Sequence, residues 1–299
     1  MPIKKYAGID IGSNATRLII NDLLPVENDK FVLEKRVYIR LPLRIGYDVF
    51  TSGKIKKEMR HQFLYAMKIF KDILNYNGVT CFRACATAAM RNADNQSEIL
   101  NYIRLETDIN IEVIDGFEEA ELLYLINREK LGDKKHFISA DMGGGSLQLA
   151  VFNYDQLIWA HAFKTGTLRF LTGTVLQYEI DALEQKVMEL KQEYPDAVLM
   201  GSGGNINKIS KIVQSMYAPY KEMKSLHKEL KNMSFIDRIK KYTLREDRAD
   251  VIVPALALYL RLMKLTGSET IYVPKTGLAD GIIRELFLRD YDIAELNFK

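Results

Sequence analysis

Asp141-Met142-Gly143-Gly144-Gly145-Ser146 leaves the backbone around it little choice of fold, set as it is between the apolar run Phe137 to Ala140 and the alternating run Leu147 to Phe152. The pattern predicts a strand, a tight glycine turn and a second strand. Three consecutive glycines remove every Cβ from the turn, so the backbone can curl its N–H groups around an anion and approach it closely. The acidic residue at the entry suits a divalent cation or an oriented water instead, as phosphate-ester and phosphoanhydride chemistry requires. Alone, such a turn reads equally well as a hairpin whose glycines only meet turn geometry.

A second stretch has the same plan. Tyr6 to Ile11 reads as a buried strand, Gly12-Ser13-Asn14 as a turn, and Arg17 to Ile20 as a returning strand. Further strands are predicted at Phe31 to Leu43, Val79 to Ala86 and Ile109 to Ile114. Helices are predicted at Ile55 to Leu74, Ser97 to Thr107 and Glu118 to Leu131, giving β-β-β-α-β-α-β-α. The second half repeats that order, with strands at 137–141, 147–152, 157–163, 197–200 and 270–273, and helices at 175–194, 206–216 and 279–288. A helix-rich insertion containing Ala249 to Leu265 interrupts the repeat. This is an internal duplication in element order. It predicts domains at 1–124 and 125–299, the last helix being free to pack back on the first domain. Two such domains would face their glycine turns, entered by Asp10 and Asp141, across a cleft whose closure excludes water.

Composition narrows the partners. The 299 residues, 47% hydrophobic and 27% charged, suffice for two cores of ordinary domain size. A net charge of only +3 gives no bulk case for nucleic acid or a membrane surface, and neither is expected as a partner. Lys221, Lys224, Lys228, Lys231, Lys240 and Lys241 read as a solvated helical face in preference to a polyanion track. Cys81 and Cys85 lack disulfide or metal spacing and read as reduced and buried. His61, His136, His161 and His227 show no metal spacing either. With no secretory h-region and no run of about 18 apolar residues, a cytoplasmic location is expected.

Several motifs in chain order resemble the exopolyphosphatase and guanosine pentaphosphatase (PPX/GppA) family of the actin, sugar kinase and heat-shock chaperone superfamily. They are Gly8-Ile9-Asp10-Ile11-Gly12-Ser13-Asn14-Ala15-Thr16-Arg17, Ala86 to Asn95, Ile114-Asp115-Gly116-Phe117-Glu118-Glu119-Ala120, and Asp141 to Ser146. Gly166-Thr167-Leu168-Arg169, Gly201 to Asn205, Arg248 to Ala255 and Gly277 to Gly281 follow. The resemblance implies an α/β fold of two ribonuclease H-like (actin-like ATPase) domains, each a mixed five-stranded sheet with flanking helices, with the active site in the interdomain cleft. It implies a hydrolase that takes terminal phosphate from inorganic polyphosphate or guanosine pentaphosphate, with a homodimer compatible with the family. The superfamily also contains kinases, so the fold alone does not assign the reaction. Gly201-Ser202-Gly203-Gly204 is not read as an ATP site.

The resemblance makes Glu119 the general base that activates water, with Glu118 as its competitor. A carboxylate in the first turn of a helix beside phosphate can accept that proton. Arg91 and Arg17 suit phosphate oxygens, since guanidinium forks match the oxyanion. Gly12, Ser13, Asn14, Gly143, Gly144, Gly145 and Ser146 are the expected phosphate-binding residues. Mg2+ is the expected cofactor, held by Asp141 first and Asp10 second. Two departures from the family pattern stand out. Ser146-Leu147-Gln148 carries a neutral amide where the family usually continues to a glutamate, which questions metal use or rate. The chain ends at Lys299 without the additional helical domain of longer members, so low processivity on long polyphosphate is expected.

Overall fold

The structure, a computed structural model, describes residues 3–26, 30–127, 136–154, 156–292 and 295. They form two compact units, residues 1–126 with 278–299, and residues 127–277.

In the first unit β1 (Lys5–Ile11), β2 (Thr16–Pro25) and β3 (Phe31–Leu41) form an antiparallel meander. Then come α1 (Ile45–Ser52), α2 (Lys57–Tyr76), β4 (Cys81–Ala86), α3 (Ala88–Arg91), α4 (Gln96–Thr107), β5 (Ile111–Val113) and α5 (Gly116–Asn127). The sheet order is β3-β2-β1-β4-β5, with β1, β4 and β5 parallel. Phe63, Ala66, Met67, Phe70 and Leu74 recur along α2 at helical spacing and are all buried.

The second unit repeats the meander as β6 (Phe137–Met142), β7 (Leu147–Phe152) and β8 (Leu157–Phe163). It continues through α6 (Thr167–Thr172), α7 (Gln177–Glu193), β9 (Val198–Ser202), α8 (Gly204–Ile212), β10 (Tyr217–Pro219), α9 (Tyr220–Asn232), α10 (Phe235–Tyr242), α11 (Glu246–Ala249), α12 (Ile252–Thr266) and β11 (Thr270–Tyr272). One face of this sheet, carrying Ile138, Ala140, Met142, Leu147, Leu149 and Val151, joins a core with Leu183 and Val187 of α7 and Leu256 and Tyr259 of α12. Residues of the other parity, Asp141 and Gln148 among them, face the opposite side.

The expected α/β class holds; the strand count of the second sheet is corrected, the last helix takes the place on the first unit that the sequence left open to it, and two short helices are added. The second sheet has six strands in the order β10-β11-β9-β6-β7-β8, because residues 217–219, expected beyond a helix end, add an edge strand beside β11. The last helix, α13 (Leu278–Asp290), belongs to the first unit. There it packs so closely that a Cβ on Gly8 would lie 2.5 Å from the Ala279 carbonyl oxygen, and one on Gly281 would lie 2.3 Å from that of Leu122. Finally, α1 and α6 stand where loops were expected. Residues 128–131 of the helix expected at 118–131 lie outside the described residues.

Candidate active site

The two glycine turns are built alike. In the first hairpin Asp10 pairs with Arg17 and Ile11 with Thr16; in the second, Asp141 pairs with Gln148 and Met142 with Leu147. Gly12 N–H donates to Ala15 O at 3.2 Å, and Gly143 N–H donates to Ser146 O at 3.0 Å, closing turns of the same length.

The start of a short helix then grips each turn from behind. Thr167 N–H and Leu168 N–H of α6 donate to the carbonyls of Gly143 (3.0 Å) and Gly144 (2.8 Å), and Arg169 Nε donates to that of Gly145 (2.8 Å). In the first unit Gly46 N–H, in the first turn of α1, donates to Ser13 O at 2.8 Å, and Arg44 N–H to Asn14 O at 3.2 Å. The C=O and N–H of a trans peptide point in opposite directions, so pinning these carbonyls turns the following N–H groups away from the helix. The N–H groups thus displayed are those of Asn14 and Ala15 in one turn, and of Gly144, Gly145 and Ser146 in the other. A row of such donors is an anion nest. Helix starts have N–H groups to spare, which is why they can serve as the grip. Burial lowers the pKa of Arg169; as a guanidinium it is a cation fixed beside the turn.

The charges differ between the hairpins. Arg17 Nη1 donates to Asp10 Oδ2, so the first carboxylate is held by the guanidinium opposite it in the sheet. In the second hairpin a row runs Ser202 (β9), Asp141 (β6), Gln148 (β7), Ala162 (β8) across the sheet. Asp141 is half-buried there. The wholly buried Tyr259 hydroxyl donates to Ser202 O at 2.7 Å. Burial, reinforced by the Asp141 carboxylate, pushes that phenol well above its ordinary pKa and keeps it a donor.

Glu118 and Glu119 separate in the first unit. Asp115 Oδ1 accepts from Glu118 N–H at 2.9 Å and starts α5 as a cap. The Asp-x-x-Glu spacing was the legible sign that the helix begins at 116 instead of 118. Glu118 then turns to Arg83, whose guanidinium also reaches Glu112 at 2.7 Å and Glu285 at 2.7 Å. Glu119 lies one residue further round the helix, 9% exposed. Arg91 Nη1 donates to Ile114 O at 2.6 Å, one residue before the cap, so Arg91 stands at the foot of α5.

Sequence-predicted residues therefore gather in two sets. Asp10, Gly12, Ser13, Asn14 and Arg17 form one hairpin, with Arg91, Glu118 and Glu119 grouped at the α5 start of the same unit. Asp141, Gly143, Gly144, Gly145 and Ser146 form the other hairpin. Arg17 and Glu118 are engaged with protein charges. Arg44, Gly46, Gly166 and Arg169 were missed as supports of the turns, although Gly166-Thr167-Leu168-Arg169 was visible as a motif. Among the described residues no three His, Cys, Asp or Glu side chains converge as a metal site. Both cysteines are free thiols; Cys85 is buried and pushed up to about 12, while Cys81 is only partly buried, short of the expected burial. No helix among the described residues is long and apolar enough to cross a membrane.

Comparison with known proteins follows the same lines. The model of the Ppx/GppA phosphatase family matches residues 32–290. The chain belongs to this family. An exopolyphosphatase structure from Cytophaga hutchinsonii superposes with a TM-score of 0.84 at 21% identity, covering 96% of this chain and 98% of that one. That likeness shows the shared two-domain, actin-like fold. Among curated relatives, Exopolyphosphatase 1 of Mycobacterium leprae is 30% identical over 143 residues, 48% of this chain and 41% of that protein. The match thus spans less than half of that relative's length. A guanosine-5'-triphosphate,3'-diphosphate pyrophosphatase of Vibrio parahaemolyticus is 21% identical over 306 residues, 96% of this chain and 61% of that protein.

Proposed function

We propose that this family member is a phosphoanhydride hydrolase that releases the terminal phosphate of inorganic polyphosphate by attack of water. The observation that carries the reading is the pair of glycine turns with their carbonyls pinned behind them and their N–H groups displayed, an arrangement suited to anionic oxygens such as those of phosphate. Glu119, in the first turn of α5 and nearly buried, takes the proton of the attacking water. Arg91, at the foot of that helix, offsets charge building on the transferred phosphoryl group. The names of relatives support both polyphosphate and guanosine pentaphosphate, whose 5′ terminal phosphoanhydride is chemically the same.

Mg2+ suits the half-buried Asp141 carboxylate, since this ion is commonly held by one or two carboxylates together with waters and substrate phosphates. It would neutralise phosphate charge there. Asp10 is the weaker candidate, because Arg17 already holds it.

The test is phosphate release from short polyphosphate, long polyphosphate and guanosine pentaphosphate, each with and without Mg2+. Glu119→Gln should lower turnover by about 10²–10⁴-fold, and Glu118→Gln, removed from an ion-pair hub, by less than about tenfold. Wild-type turnover in Glu119→Gln would sink the assignment of the base. Tight calorimetric binding without phosphate release under any divalent metal would replace the hydrolase by a non-hydrolysing sensor of polyphosphate or guanosine alarmone.

A further inference from the structure

Gln148 is 2% exposed, and neither its Oε1 nor its Nε2 has a hydrogen-bond partner among the described residues. Burying an amide in that state costs on the order of 2–7 kcal/mol, and native folds rarely leave such a group unless something else engages it. Its place in the sheet narrows what that is. Gln148 stands opposite Asp141, two residues beyond the displayed Ser146 N–H, on the face turned from the apolar core. On the other side of Asp141 the Ser202 hydroxyl, 1% exposed, is likewise without a partner among the described residues. The first hairpin fills the position equivalent to Gln148 with Arg17, which spends its guanidinium on Asp10. The second hairpin keeps a group that can donate and accept at once and brings no charge of its own.

We propose that the Gln148 carboxamide contacts the reacting end of the substrate: Nε2–H donates to an oxygen of the terminal phosphoryl group while Oε1 accepts from the attacking water. This rests on the hydrolase reading above. In the step, the water oxygen bonds to the terminal phosphorus as the bond to the bridging oxygen breaks. That bridging oxygen keeps the electron pair and leaves on the shortened chain, and the water proton passes to the general base of the hydrolysis. Gln148 neither gains nor loses a proton; it orients the water and binds the phosphoryl oxygen.

Gln148→Met keeps the volume and removes both polar atoms, and the test compares it with wild type in three measurements. Turnover on polyphosphate should fall about 10²-fold. Calorimetric affinity for tripolyphosphate should fall about tenfold, the loss of one hydrogen bond to a charged group. The unfolding midpoint should hold or rise, because a buried amide has been deleted. A merely structural Gln148 gives the reverse pattern, a lowered midpoint with affinity and turnover per folded molecule unchanged, and overturns the proposal. Gln148→Glu keeps the acceptor but loses the donor, so affinity for tripolyphosphate should drop. If it instead retains turnover and tightens Mg2+ binding, the side chain sits on a metal and the proposal fails. If the wild-type protein releases no phosphate from any substrate, the hydrolase reading falls, while the affinity comparison still decides whether Gln148 meets phosphate.

Discussion

The two hairpins share a register, a turn length and a helical grip, yet they handle their acidic residue in different ways. The first neutralises Asp10 inside the protein with Arg17, and its turn carries Ser13 and Asn14. The second sets neutral Gln148 beside Asp141 and has glycine at each turn position between Met142 and Ser146. One architecture thus yields a hairpin whose acidic residue is paired with an arginine across the strands and a hairpin whose acidic residue faces a neutral amide. Position in a fold fixes where a side chain stands; the side chain's charge and hydrogen-bonding capacity decide whether the protein itself uses it up.

The largest expected effect sets the two grips against each other. A Cβ on Gly166 would lie 2.4 Å from the Gly144 carbonyl oxygen, the Gly145 carbonyl carbon and the Ser146 nitrogen, all backbone atoms that cannot step aside. Gly166→Ala should cost about 3 kcal/mol or more. At Gly46 the close atoms, at 2.7 Å, are the Phe50 ring edge and the Ser13 Cβ, so Gly46→Ala should cost about half as much. Urea titration of both variants checks the ranking, and equal losses would show that the backbone contact at Gly166 is no more demanding than the side-chain contact at Gly46. Arg17→Gln makes the first hairpin imitate the second. It strands Asp10, 4% exposed, at a cost of about 2 kcal/mol, less than for a fully buried pair because Arg17 is 26% exposed. A thermal midpoint indistinguishable from wild type would remove the contrast on which the comparison stands. The smallest effect is at Tyr259→Phe, which takes the donor from Ser202 O and should cost about 1 kcal/mol. Calorimetric unfolding that shows no loss would mean that the phenol does not brace β9 beside Asp141.

Much of this was legible in the residues. Alternation and glycine placement gave both hairpins, and the family motifs gathered the right segments. The short helices α1 and α6 were not legible. Eight and six residues are too few to display helical periodicity, and Arg44 and Gly166 at their N-caps offer no Ser, Thr, Asp or Asn signal. Arg44 sits at φ 53°, a left-handed conformation that its residue type does not announce. Of the two glutamates, the sequence offered neighbours of one kind. Arg83, 35 residues before Glu118, tells them apart by occupying one.

The triple-glycine hairpin, its mirror at Asp10 to Arg17 and the cap that begins α5 were determined by the sequence itself, because each depends on residues within a few positions of one another. Only the tertiary structure decided that Arg17 belongs to Asp10, that Glu118 belongs to Arg83, that α13 joins the first unit, and that the turn carbonyls are held from behind by helix starts 24 to 33 residues away. Those choices depend on sheet register and on packing between distant segments, where several pairings satisfy the local rules and only the assembled core selects one.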